Sequence, residues 1–136
     1  ANNEVVLIHD GARPLITPKT INAVAQAARD SQVACVAKRT NDTIKHASPS
    51  GNGYILKTLD RSNIWSMETP QAFKFSLIEA AYKTIIANRQ SISDDLSAIE
   101  NNEIPVILIE NERPNPKLTN PQDIAYVEFL LKDCTS

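Results

Sequence analysis

The stretch Val5-Val6-Leu7-Ile8-His9-Asp10-Gly11-Ala12-Arg13-Pro14 joins four consecutive apolar residues directly to a charged loop. An apolar run of this kind predicts a parallel strand in the middle of a sheet, buried on both faces. Ligands of open α/β sheets bind beyond the carboxyl ends of the strands, so the loop is a candidate site. Asp10 can accept hydroxyl hydrogen bonds, Arg13 can bind phosphate with two donors, and Gly11 lets a ligand approach the backbone. A plain strand followed by a surface ion pair is the alternative interpretation of these residues alone.

The composition is that of an ordinary globular protein: 136 residues, 42% of them hydrophobic and 22% charged. A net charge of -2 with scattered basic residues argues against a nucleic-acid-binding protein. The sequence contains no apolar run near the roughly 20 residues of a membrane span, and it has no recognisable signal peptide. Cys35 lies in an apolar run and Cys134 near the end, which argues against a disulfide scaffold. We therefore expect a cytoplasmic protein, or an organelle stroma if the source is eukaryotic.

Strand and helix patterns alternate along the chain, which predicts an α/β fold. Thr17-Pro18 is typical of a helix start, with a hydroxyl cap before a proline in the first turn. We predict the following elements: a helix to Asp30, a buried strand Val33–Ala37, an irregular segment Ile64–Phe75, a helix Ser76–Asn88, a short helix from Ser93-Asp94-Asp95 to Glu100, a buried strand Pro105–Ile109, and a last helix from Asn120-Pro121 with Ile124, Val127 and Leu131 facing inward.

A turn cluster, Ser48 to Gly53, separates two short stretches, Thr43 to His46 and Tyr54 to Leu59. This pattern predicts a β-hairpin. Its flanks are too polar for both faces to be buried, so we expect residues 40–62 to project as an arm. The whole chain, 1–136, is otherwise expected to form one partial domain.

Polar and charged residues gather where each predicted strand ends. Three basic loops on one rim of the sheet would suit a phosphorylated ligand. The residues after the first predicted strand are Asp10 and Arg13; those after the second are Lys38, Arg39, Asp42, Thr43 and Lys45; those after the third are Arg113, Asn115, Lys117 and Thr119. Histidines and cysteines lack the spacing of a zinc site. With only three glycines, the sequence cannot supply a glycine-rich phosphate loop, so a nucleotide triphosphate would need groups from elsewhere.

Six short motifs occur in order along nearly the whole chain: His9-Asp10-Gly11-Ala12-Arg13-Pro14, Asp42-Thr43-Ile44-Lys45, Thr58-Leu59-Asp60-Arg61, Trp65 with Thr69-Pro70-Gln71-Ala72-Phe73, Ser93-Asp94-Asp95, and Asn115-Pro116-Lys117-Leu118-Thr119. Together they resemble the motifs of methylerythritol phosphate cytidylyltransferase, an enzyme family of non-mevalonate isoprenoid biosynthesis. Ordered motifs are far more specific than any one of them alone.

The resemblance implies a Rossmann-like fold of the nucleotide-diphospho-sugar transferase type, with a mostly parallel sheet flanked by helices. It also implies transfer of a cytidylyl group from CTP to a polyol phosphate, with release of pyrophosphate. A divalent metal, usually Mg²⁺, is expected, and so is a homodimer formed through the hairpin arm. The family's opening segment, which carries the glycine-rich CTP loop, has no counterpart here, so we expect the first part of the fold to be missing and this chain alone to be inactive.

By the same resemblance, Lys117 is the expected catalytic residue, stabilising charge on the α-phosphate and binding the nucleotide together with Gly11. The expected substrate-binding residues are Asp10, Arg13, Thr43, Thr69 and Ser93, with Arg61 reaching the substrate phosphate of the neighbouring subunit.

This sequence departs from the family pattern at a few positions, and other functions stay open. Gly11 replaces an alanine, Glu68 a glutamine, and Pro116 an isoleucine beside Lys117. A ribitol 5-phosphate cytidylyltransferase is the rival within the class. A truncated, non-catalytic remnant and an interaction module that uses the arm are the alternatives from other classes.

Overall fold

The computed structural model describes residues 4–133, and within them a mixed sheet is packed between helices. The strands are β1 (Val5–Ile8), β2 (Val33–Arg39), β3 (Lys45–Ser50), β4 (Gly53–Thr58), β5 (Trp65–Lys74) and β6 (Ile107–Glu110). The helices are α1 (Pro18–Ser31), α2 (Phe75–Ala87) and α3 (Pro121–Asp133), with short 3₁₀ turns at Arg61–Asn63, Leu96–Ala98 and Glu100–Asn102. The α/β prediction is confirmed.

The main sheet has the strand order β1-β5-β2-β6. β5 runs antiparallel to both of its neighbours, while β2 and β6 are parallel. Three strands therefore point the same way, as predicted, and their carboxyl ends meet at one edge of the sheet. The exception is β5, which runs against them between β1 and β2.

The core lies on both faces of β2, because successive side chains of a strand point to opposite sides. Val33 and Cys35 pack with Phe73 against α2 and the 3₁₀ turn Leu96–Ala98, whereas Ala34 and Val36 pack against α1. All five residues from Val33 to Ala37 are fully buried. The predicted doubly buried strand is thus confirmed for β2.

The segment Ile64–Phe75, predicted to be irregular, is instead the ten-residue strand β5. Its proline and its lack of alternation hid the strand, because proline cannot donate to a central ladder. The ladder is interrupted at that place: three residues, Glu68 to Pro70, lie between the pairs Ala37–Met67 and Cys35–Gln71, opposite Val36 alone. This bulge accommodates Pro70 and turns Glu68 and Thr69 out of the regular pleat.

Two other strands differ from prediction. In the described part of the chain β1 pairs only with β5, and its four residues are half-buried rather than fully buried. The prediction of a middle, doubly buried strand was therefore wrong for β1, because the apolar run cannot reveal which neighbours a strand has. β6 begins at Ile107, two residues later than predicted, and is not a buried strand: its two middle residues are half-buried and its two end residues are exposed.

The three α-helices begin within one residue of their predicted starts, and Thr17 caps α1 by accepting a hydrogen bond from the Thr20 amide. The short helix predicted from Ser93 to Glu100 is instead the pair of 3₁₀ turns Leu96–Ala98 and Glu100–Asn102, a geometry that short segments commonly adopt. The Asp94 carboxylate accepts a hydrogen bond from the Ser97 amide at the first of these turns. The inward face of α3 was predicted only in part. Val127 is buried, but Ile124 and Leu131 are 54% and 50% exposed.

The predicted hairpin is confirmed as β3 and β4, joined at Gly51 and Asn52. Every residue of both strands is exposed. Its apolar tip includes Tyr54, Ile55 and Leu56, which are 67%, 67% and 57% exposed. We call residues 45–58 the arm.

Candidate functional site

Asp10 follows β1 in a tight turn, in which the Arg13 amide donates to the Asp10 carbonyl at 3.0 Å. The bulge of β5 presents the Thr69 hydroxyl, which accepts a hydrogen bond from the Asp10 amide at 3.0 Å. His9 bonds to the same hydroxyl through Nδ1, at 2.9 Å, and its Nε2 lies 3.0 Å from the Arg13 carbonyl oxygen. His9 is therefore a structural hydrogen-bonding residue of the loop. Together these bonds fix the Asp10 backbone.

Arg13 ties the first loop to the loop that follows β6. Its Nε donates to Asp10 Oδ2 at 3.2 Å, and its Nη1 donates to the Asn115 carbonyl at 2.6 Å. The Leu118 amide in turn donates to the Ala12 carbonyl at 2.8 Å. With only 12% of its side chain exposed, Arg13 is a buried cation with fixed partners.

Lys117 completes the cluster, since its Nζ lies 3.3 Å from Asp10 Oδ2 and its side chain is 47% exposed. Pro116 removes one backbone donor, but the bonds at Asn115 and Leu118 on either side still hold the segment in place. We call Asp10, Arg13, Thr69 and Lys117 the rim cluster.

Electrostatics keep Asp10 charged. Partial burial acts to raise its pKa, but the hydrogen bonds from Arg13 and Lys117 outweigh burial and lower the pKa below its ordinary value of 3.8. An ionised carboxylate beside an exposed ammonium offers an acceptor for hydroxyl groups next to a donor for phosphate oxygens.

A cavity of about 400 Å³ lies beside this cluster, between the end of β2 and the segment after β6. Its walls include Lys38, Arg39, Glu68, Glu110, Asn115 and Tyr126. Arg39 lies 4.2 Å from the centre of the Trp65 ring, and its Nε is 3.8 Å from Glu110. The second basic loop therefore reaches the same side of the sheet as the rim cluster.

The remaining predicted site residues make their hydrogen bonds away from the rim cluster or lie in exposed loops. Arg61, at the base of the arm, donates to the Asn41 carbonyl at 2.8 Å. Thr43 lies in the exposed connection between β2 and β3. The Ser93 hydroxyl is 3.0 Å from that of Ser97. An added Cβ at Gly11 would meet nothing within 4 Å, so this backbone faces open space. The roles of these four residues stay predictions.

The described residues do not form a metal site by themselves. Within residues 4–133, no three His, Cys, Asp or Glu side chains are grouped closely enough to hold a metal ion. Mg²⁺ needs only one or two carboxylates when substrate phosphates supply other ligands, but Asp10 Oδ2 is already bound by Arg13 and Lys117. No reaction step is therefore assigned to a metal. None of the helices in the described part could cross a bilayer, being too short or too polar.

Sequence reasoning gave no role in the site to two residues that the structure places there, Glu68 and Asn115. The Asn115 amide donates to the Thr69 carbonyl at 2.9 Å, and the Glu68 carboxylate lies 3.7 Å from Arg13 Nη1. Asn115 was noted only as one polar residue of its loop. Glu68 could not be placed without knowing that Trp65–Lys74 is a strand with a bulge.

The fold and the rim cluster define an α/β protein with acidic and cationic side chains gathered at the carboxyl ends of its parallel strands, where such sheets bind their ligands. The sequence profile of the IspD family, 2-C-methyl-D-erythritol 4-phosphate cytidylyltransferase, matches residues 1–133, and the chain belongs to this family.

Individual proteins similar to this chain are members of the same family. The chain is 37% identical over 128 residues to the 2-C-methyl-D-erythritol 4-phosphate cytidylyltransferase of Pelotomaculum thermopropionicum, covering 94% of this chain and 53% of the relative. It is 41% identical to that of Trichormus variabilis, covering 94% and 55%. The crystal structure of 4-diphosphocytidyl-2C-methyl-D-erythritolsynthase from Anaerococcus prevotii superposes with a TM-score of 0.84 at 28% identity, covering 95% of this chain and 57% of that one. The chain thus spans about half the length of the curated relatives it matches.

Proposed function

We propose that this chain is the carboxyl-terminal, polyol-phosphate-binding part of a cytidylyltransferase acting on 2-C-methyl-D-erythritol 4-phosphate. The observation that supports this most strongly is the rim cluster, in which Asp10, Arg13 and Lys117 meet within 3.3 Å contacts. Family membership and the identities above agree with the proposal.

In the proposed reaction an oxygen of the substrate phosphate attacks the α-phosphorus of CTP. The new phosphorus–oxygen bond forms as the bond to the β-phosphate breaks, and pyrophosphate leaves with the electron pair. Asp10 accepts hydrogen bonds from polyol hydroxyls, while Lys117, with donors to spare, stabilises the negative charge that grows on the α-phosphate. Such a reaction depends on positioning and charge stabilisation and needs no protein nucleophile. Mg²⁺ remains an expectation from the resemblance, with its ligands unassigned.

We further propose that the arm joins two copies of the chain and carries Arg61 toward the partner's substrate. Both strands of the arm are exposed on both faces, and an isolated two-stranded hairpin is at best marginally stable in water. Three neighbouring apolar residues at its tip suit a second copy of the arm. A cytoplasmic location, or an organelle stroma, is likewise part of the proposal.

Assays with CTP and each of two polyol phosphates test the proposed activity. We expect the full-length enzyme to release pyrophosphate with methylerythritol phosphate, and the 136-residue chain alone to release none, because its relatives are about twice as long. Turnover of ribitol phosphate alone would contradict the choice of substrate. Activity of the isolated chain would show that the described residues suffice for CTP binding.

A further inference from the structure

A buried acid, Glu68, faces the guanidinium of Arg13. Its Oε2 lies 3.7 Å from Arg13 Nη1, and the two side chains are only 13% and 12% exposed. Asp10 binds the Nε of the same guanidinium. Arg13 is therefore shared between two carboxylates: that of Asp10, at the open edge of the rim cluster, and that of Glu68, which is largely buried.

The other groups around Glu68 come from β2 and from the segment after β6. Lys38, near the end of β2, and the Asn115 amide both favour its charged form, as Arg13 does. The Cys35 thiol contacts the Glu68 carbonyl oxygen, and burial raises the pKa of this thiol to about 12, so it stays neutral. Glu68 thus faces two cations, Arg13 and Lys38. The other carboxylate bound by the Arg13 guanidinium is that of Asp10.

We propose that Glu68 is a positioning residue that holds Arg13 and sets how much of its positive charge reaches an anionic ligand at the rim cluster. A charged Glu68 cancels part of the positive potential of Arg13 at the ligand. When Glu68 is neutral, the ligand experiences the full positive potential of Arg13. Buried charges are poorly screened, so a single unit of charge at this distance changes anion affinity severalfold. For the identity of the natural ligand, the inference rests on the proposed function.

The expected pH dependence follows from the environment of Glu68. Burial raises its pKa above the ordinary value of 4.5, although Arg13 and Lys38 partly offset this. As the pH falls, Glu68 gains its proton before an exposed glutamate would, and anions bind more tightly. A comparison with a variant that lacks the Glu68 charge isolates this effect from any other pH-dependent change in the protein.

Inorganic sulfate is the probe, because its charge does not change over the working pH range. Its dissociation constant would be measured calorimetrically with the full-length protein and Glu68→Gln, which keeps the shape and an acceptor for Arg13. We expect Glu68→Gln to bind sulfate about fivefold more tightly at about pH 8, with the gain shrinking toward about pH 5. The matched control is Glu112→Gln, which removes the charge of an exposed acid paired with Lys19 and should change affinity less than about twofold.

Equal affinity of the wild type and Glu68→Gln at about pH 8 would overturn the inference. So would an equal gain in Glu112→Gln, because the effect would then be one of net charge. If Glu68→Gln does not fold, Glu68→Asp withdraws the carboxylate from Arg13 while keeping the charge; it should also bind sulfate more tightly, and unchanged affinity would count against the inference.

Turnover separates this inference from the proposed function. If the function is right, Glu68→Gln lowers the KM for methylerythritol phosphate and leaves kcat within about twofold, since charge acts here mainly on binding. A wild-type enzyme that turns over no polyol phosphate would contradict the function, and the sulfate comparison would still decide the role of Glu68.

Discussion

Asp10 is the residue at which the first loop, the β5 bulge and the segment after β6 meet. Its amide is bound by Thr69, and its carboxylate by Arg13 and Lys117. Because these contacts fix both the backbone and the side chain of Asp10, its carboxylate is preorganised. A fixed carboxylate also holds the Arg13 and Lys117 cations in place, and preorganised cations are what the stabilisation of a developing negative charge requires.

Replacing Lys117 tests the catalytic end of this cluster. In the full-length enzyme, Lys117→Ala should lower kcat about 100-fold or more, because a preorganised charge at the reacting phosphate is lost. Steady-state kinetics with CTP and methylerythritol phosphate provide the measurement. Lys19→Ala is the control, since Lys19 is 77% exposed and pairs with Glu112. Equal kcat values for Lys117→Ala and wild type would remove Lys117 from the mechanism.

At this scale the sequence indicated that Asp10, Arg13 and Lys117 lie together, because each carries charge into a loop that follows an apolar run. It did not indicate the residues that surround them. Glu68 was seen only as a departure from the family pattern, because its burial depends on sheet neighbours that are distant in the chain. A charge pattern can be seen locally, whereas burial in a sheet is decided by residues far away in sequence.

Among the elements, β5 does most to shape the site. It lies between β1 and β2, so its ladder bonds bring the loops after those strands to one edge. Its bulge supplies Thr69 to the rim cluster and places Glu68 beside Arg13. The sequence could not reveal this strand, since Pro70 argues against a central position and the tertiary pairing overrides that local preference. The helices were predictable because their caps are local signals.

The start of α3 offers a test of such a cap. The Asp123 carboxylate accepts hydrogen bonds from the Thr119 and Asn120 amides at 2.8 and 2.7 Å, and from the Thr119 hydroxyl at 3.0 Å. These bonds lower the pKa of Asp123 below 3.8, and the hydrogen bond from the Asn120 amide contributes most to this lowering. A lowered pKa means that the stabilisation is present above pH 3.8 and is lost as the pH falls through the folded-state value.

We therefore expect Asp123→Asn to have a lower Tm than the wild type near neutral pH. The difference should close in strong acid, where the wild-type carboxylate is protonated as well. Thermal unfolding followed by circular dichroism across this pH range would show it. As a control, Asp30→Asn changes an exposed acid in the last turn of α1 and should not lower the Tm. A pH-independent difference for Asp123→Asn would mean that the charge does not contribute.

At the scale of the whole molecule, the arm stands out because no other element of the described residues packs over its two strands. Its strands contact each other and little else, whereas Arg61 at its base is tied back to Asn41. In the proposed dimer, Arg61 of one copy and Lys117 of the other serve the same substrate. This arrangement makes a complementation test possible.

Mixing Arg61→Ala with Lys117→Ala subunits of the full-length enzyme should restore activity. Each variant alone is impaired at every site, but a mixed dimer has one site with both residues intact. Random pairing then gives about a quarter of wild-type activity. The measurement is turnover before and after subunit exchange, with each variant exchanged against itself as the control. Activity that stays at the level of the parents would place Arg61 in its own subunit's site, or outside the site.

Trp65 is the one tryptophan of the sequence, and its ring is covered by Arg39 where β5 begins. This gives the molecule a built-in optical reporter at the junction between sheet and arm. A guanidinium that leaves the indole face changes the emission of that fluorophore, so rearrangement of this junction can be followed in solution without any attached dye.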